Sequence, residues 1–230
     1  MRVFKAVLFV WMTAVIVLAL GLPMVAQPTA WYEFPIIPAL AEKARIMFFH
    51  VPTAWLSTLA FIMSMIYGIQ YLRKKRLEDD IKSATAAGLG FMFCFLATVT
   101  GAIWAKFSWG TYWNWDPRQT SIFVLLLIYG AYFALRSAIE VEEKRATLAA
   151  AYSIIAAVTM PFFMFIMPRI LASLHPEPIL NTQGKVQMNP TMLVVFLSSL
   201  AGFTGLYYWI WNLHVRVQRL ELQRTTEAHT

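Results

Sequence analysis

The sequence predicts an all-α integral membrane protein with six transmembrane helices, both termini cytoplasmic and aromatic outer loops. Three observations predict it. Only 13% of the 230 residues are charged, whereas a soluble surface usually needs about 25%. Six long apolar runs stand at about 6–26, 46–72, 84–105, 119–135, 147–167 and 191–213, each close to the ~20 residues that cross a bilayer. The charges fall between these runs, so none of them carries the broad polar face of a soluble-bundle helix. The whole chain, 1–230, reads as a single domain.

The first run follows Arg2 and Lys5 as in a signal peptide. It is long for one, however, and Met24 stands where a cleavage site ahead of Gln27 wants a small residue, so a retained helix is expected. The fourth run has 17 uncharged residues and must stand upright or borrow its flanks. Pro161 predicts a kink in the fifth. The connectors then sort by sign. The N-terminus, residues 73–83 and 136–146 and the C-terminal tail hold thirteen Lys and Arg, against six on the other side: Lys43, Arg45, Lys106, Arg118, Arg169 and Lys185. The positive-inside rule puts the first group in the cytoplasm. The formal charge of +7 therefore orients the chain and needs no nucleic acid to explain it. A single cysteine excludes a disulfide framework, a Cys-rich zinc site and a CxxC redox pair within this chain. No phosphate-binding glycine pattern is present, so no ATPase is expected.

The outer connectors, roughly 27–45, 106–118 and 168–190, are long and aromatic, the kind of loop that carries function. Residues 107–120 read FSWGTYWNWDPRQT. On a helix, Trp109 and Trp113 would share a face, with Trp115 pointing elsewhere. Asp116 before Pro117 fits a helix N-cap as well as it fits a functional carboxylate. The segment reads as a platform for a large flat apolar group; a plain interfacial belt is the alternative.

Two histidines reach the same side. His214 and His229 read as solvated residues of the inner side. His50, in MFFHVP, and His175, in ASLHPEP, both fall at the outer surface. Two imidazoles without cysteine suit zinc poorly, whereas two axial imidazoles beside a broad aromatic surface suit haem iron. Arg118 and Arg45 could meet the haem carboxylates through paired hydrogen bonds; Lys106, Lys43, Arg169 and Lys185 are weaker candidates. A haem-bearing electron-transfer subunit would hold its ligands within facing helices, and a solute transporter would carry charge deep in its spans. Neither pattern is seen.

With Trp109, Gly110, Trp113, Trp115 and Asp116 in place, the segment resembles the tryptophan-rich WWD signature of haem-handling membrane proteins. With six helices and one outer His on each flank, and with MFFHVPTAW (47–55) and SLHP (173–176), the chain is similar to the CcmC family of cytochrome c maturation over essentially its whole length. The resemblance implies a haem-binding and haem-delivery protein of the bacterial inner membrane, not an enzyme. It implies His50 and His175 as axial ligands of haem b at the periplasmic face. Trp109, Gly110, Trp113, Trp115 and Asp116 would form the platform, with Arg118 and Arg45 at the propionates. It also implies as partners the haem chaperone CcmE, the ATP-driven pair CcmA and CcmB, and the small membrane protein CcmD. The loop 176–190 matches no motif.

Overall fold

A computed structural model of the chain describes residues 2–38, 40–176, 186 and 188–228. Most of the loop 176–190, with Lys185, lies outside the described residues, as does His229. The chain is a bundle of six long helices, each apolar enough to cross a membrane. They are α1 (Arg2–Gly21), α2 (Met47–Lys74), α3 (Leu77–Trp109), α4 (Pro117–Ser137), α5 (Glu142–Pro161, prolonged as described below) and, after a short turn α6 (Met167–Ile170), α7 (Pro190–Ala228). Two short strands, β1 (Met24–Val25) and β2 (Phe34–Pro35), pair in parallel in the first aromatic-end connector, a feature that no sequence pattern signalled.

The helices outrun the apolar stretches that mark them. α3 begins at Leu77 rather than 84, and α7 continues to Ala228 rather than 213. Hydropathy marks what lipid must cover, whereas a helix stops where a cap or a breaker stops it. α2 stops at Lys75, which takes the left-handed conformation at φ 54°. α4 borrows both flanking arginines, Arg118 and Arg136, to reach 21 residues.

α2 and α3 form the centre of the bundle, with α5 and α7 packed on α2 and α4 on α3 and α5. One core joins α2, α3, α4 and α5 through Phe61, Cys94, Leu125, Tyr129 and Met160. A second joins α2, α3 and α7 through Leu56, Phe93, Tyr207 and Trp211. α1 rests mainly on α7 and turns Val3, Val7, Val10 and Leu20 outward, as lipid contact requires.

Prolines shape the aromatic end. Pro52 lies inside α2 and cannot donate to the Phe48 carbonyl one turn back. The Ser199 hydroxyl of α7 donates to that carbonyl instead, which restores a partner to a buried polar group. α5 ends at Pro161. It passes into a π-helical stretch, Phe162–Ile166, in which the Met167 N–H donates to the Phe162 carbonyl five residues back. The wider turn leads into the α-turn containing Pro168.

Candidate functional site

A cavity of about 430 Å³ opens between α2, α3, α4 and the π stretch, at the aromatic end of the bundle. That volume is within the range of small-molecule sites. His50 and His175 both line it. His50 occupies the first turn of α2, four residues into the helix, and faces α3. Its Nδ1 lies 2.9 Å from the Thr100 Oγ1. A β-carbon on Gly101 would fall 2.9 Å from the ring, so only glycine lets α3 approach His50 this closely. His175 lies beyond α6. Its Nδ1 is 3.1 Å from the Asp116 Oδ1, and the rings of Trp109 and Trp104 flank it at 4.8 and 5.7 Å. In both imidazoles the remaining nitrogen, Nε2, is the one able to serve a ligand in the cavity.

Asp116 serves both as helix cap and as partner of His175. Its carboxylate accepts from the Arg118 N–H at the start of α4 (2.9 Å), with Pro117 following the cap. It also accepts from the Ser173 hydroxyl (2.9 Å) and the Leu174 N–H (2.7 Å). One buried carboxylate thus ties α4 to the His175 segment. Burial acts to raise its pKa, but these donors outweigh burial and hold the carboxyl below the usual carboxylate range. Burial, reinforced by the Arg118 charge and opposed by Asp116, pushes the His175 imidazole down to about 4. The ring is therefore neutral at pH 7, the form that binds metals.

The tryptophan segment is not one helix. α3 ends at Trp109, and Gly110 closes it at φ 85°, donating its N–H to the Lys106 carbonyl. Residues 111–116 follow without helical structure. Trp109 and Trp113 therefore do not share a helical face as the spacing predicts, because the left-handed glycine turns the chain between them. Trp113 lines the cavity. Trp115, at φ 61°, is exposed and meets Trp113 edge-on at 5.7 Å. Trp109, Gly110, Trp115 and Asp116 frame the site rather than line it. Gln119 holds the loop in shape, accepting from the Asn114 N–H and donating to the Tyr112 carbonyl, both at 3.1 Å.

Cations border the cavity. Arg118 lines it; its Nη2 is 3.5 Å from the Pro176 carbonyl, at the limit of a hydrogen bond. Its buried Nε has no partner among the described residues. Arg169 and Lys43 also line the cavity. They donate to the Phe165 carbonyl at 2.8 Å and the Phe107 carbonyl at 3.4 Å. Arg45 is placed elsewhere. Its guanidinium donates to the Ala19 and Leu22 carbonyls, both at 2.8 Å, and pairs with Glu42. It ties down the end of α1, whose last carbonyls have no partner within the helix.

Sequence reasoning missed Thr100, Gly101, Trp104, Gln119 and Ser173. Trp104 was hidden inside the third apolar run, although a Trp so near Trp109 in the chain was a usable signal. Ser173 opens the SLHP stretch, but no pattern in the sequence assigned it a role of its own.

The family model described as CcmC, heme exporter protein C, matches residues 1–230. Heme exporter protein C of Bradyrhizobium diazoefficiens is 32% identical over 93% of this chain and 78% of that protein. Heme exporter protein C of Haemophilus influenzae is 31% identical over 77% of this chain and 72% of that protein. A putative cytochrome c biosynthesis ccmC-like mitochondrial protein of Marchantia polymorpha is 32% identical over 73% of this chain and 71% of that protein. Read together with six membrane-spanning helices, these similarities mean that the chain belongs to the CcmC family, heme exporter protein C.

Proposed function

We propose that this protein binds haem b as cargo in the cavity at its aromatic end and hands it to the haem chaperone CcmE. His50 and His175 supply the axial ligands through Nε2. One observation carries the reading: two neutral-capable imidazoles, 125 positions apart in the chain, line one apolar cavity with their Nδ1 atoms already engaged. Trp113 covers a ring face, and Arg118, whose buried Nε has no partner among the described residues, meets the propionates with Arg169 and Lys43 beside it. Arg45 supports this role least, since its guanidinium is occupied at the end of α1. The exposed Trp115 and Tyr112 lie beside the cavity, where an acceptor would approach. The aromatic end faces the periplasm of a bacterial inner membrane and both termini face the cytoplasm, consistent with the thirteen-to-six division of basic residues. CcmA, CcmB and CcmD act alongside, and the chain itself catalyses no reaction.

The test is the absorption spectrum of purified, haem-loaded protein in which His50 and His175 are replaced by Ala singly and together. Loss of the low-spin bis-imidazole spectrum is expected. An unchanged spectrum in the double variant would overturn the ligand assignment. Covalent capture of the haem by added chaperone is expected with the wild-type protein; permanent retention overturns delivery.

A further inference from the structure

The partners of the two imidazoles differ in kind. The Thr100 hydroxyl has one proton, and its oxygen lies 2.8 Å from the Leu96 carbonyl and 3.2 Å from that of Ala97. With that proton directed to the backbone, the Thr100 Oγ1 faces His50 as an acceptor, and the Ala97 carbonyl is a second neutral acceptor for the ring. The 2.9 Å contact then requires a proton on His50 Nδ1, which leaves a lone pair on Nε2. His175 reaches the same tautomer because its Nδ1 faces an acceptor-only carboxylate. The acceptor is neutral at His50 and anionic at His175. Hydrogen bonds to charged acceptors are roughly twice as strong, and an anionic partner makes an imidazole a stronger metal ligand. Asp116 is itself immobilised by the Arg118 and Leu174 N–H groups and the Ser173 hydroxyl, whereas Thr100 is held by its own helix alone.

We infer that the two ligands are unequal: His175, backed by Asp116, anchors the haem iron, and His50, backed by Thr100, is the ligand that yields when the haem leaves. This rests on the haem-ligation reading above. On release the iron–Nε2 bond of His50 breaks with its electron pair remaining on nitrogen. The vacated position accepts a lone pair from the incoming donor, and no electron changes hands. Asp116 and Thr100 are thus positioning residues, each acting through its own histidine.

The experiment measures haem b affinity and spectrum for the purified full-length protein and its variants in detergent. His175→Ala is expected to lose at least tenfold more affinity than His50→Ala. Asp116→Asn, which keeps an acceptor able to cap α4, should lose roughly 10–100-fold. Thr100→Val should lose only a few-fold, with Thr100→Ser restoring the wild-type value. In double-mutant cycles, Asp116→Asn should add little once His175 is Ala, and Thr100→Val little once His50 is Ala. Equal losses for the two histidines, the reverse order, or additive cycles overturn the inequality while leaving bis-imidazole ligation standing. A wild-type spectrum in both single His variants overturns the ligation itself.

Discussion

At the two ends of the bundle, basic side chains find different partners. At the end formed by the α2–α3 and α4–α5 connectors they meet carboxylates. Arg136 grips Asp80 with two bonds, at 2.7 and 2.9 Å. Arg76 holds the fully buried Asp79. Glu78 accepts from both Lys82, at 2.5 Å, and Arg219. At the aromatic end Arg45 pairs with Glu42 and ties down α1, but Arg118, Arg169, Lys43 and Lys106 bond to backbone carbonyls, and among the described residues none of these four has a carboxylate within ion-pair distance. Charge balanced by charge fixes helices to one another. Charge satisfied only by weak dipoles keeps its attraction for an anion from outside. The helices follow the same division: regular and tightly connected at one end, interrupted by Pro52, the π stretch and Gly110 at the other.

The comparison can be broken at its strongest point first. Arg136→Ala strands the buried Asp80 carboxylate, which costs about 3–5 kcal/mol. We expect a large loss in denaturant or thermal unfolding, with a normal haem spectrum in whatever folds. If the spectrum changes while stability holds, the division between the ends fails.

Acid should act next, and mainly at the aromatic end. The folded His175 has its pKa lowered to about 4 from the ordinary 6.5, so the unfolded chain takes up the proton first as pH falls. Its stabilising contribution is complete above pH 6.5 and is lost between 6.5 and about 4. At pH 5 the loss is about 2 kcal/mol, from ~1.36 kcal/mol per pH unit. Asp116, also lowered, adds to the loss below the ordinary carboxylate range. Apo-protein unfolding followed from pH 7 to 5 checks this, and His175→Ala should flatten the curve.

Arg118→Ala should reduce haem affinity roughly tenfold, about 1.4 kcal/mol, and leave apo stability nearly unchanged, because the guanidinium gives up only the long 3.5 Å contact with the Pro176 carbonyl. A matching loss of apo stability would make Arg118 a structural cation like Arg136. The smallest effect expected is Gly110→Ala, about 1 kcal/mol for a side chain held at positive φ, read as a modest fall in the unfolding midpoint.

Much of this was legible in the sequence, and unevenly so. Six spans follow from apolar runs because lipid contact demands them residue by residue. His50 and His175 could be put on one side by counting spans. Their Nδ1 partners could not, because Thr100 and Asp116 stand 50 and 59 positions away and helix packing alone brings them near. Asp116 had two readings, cap and functional group; it caps α4 and also meets the His175 ring. Arg45 looked like Arg118 from the sequence. What separates them is the end of α1, whose free carbonyls no local pattern reveals.

The bond from Ser199 to the Phe48 carbonyl joins residues 151 positions apart, and this bears on how the protein is made. As the ribosome delivers the chain, α2 enters the membrane with the carbonyl freed by Pro52 still bare, since its partner belongs to α7, synthesised well after it. The carbonyl in the first turn of α2, the turn that bears His50, therefore gains its partner only when α7 packs against it, which ties completion of this wall of the cavity to the arrival of α7.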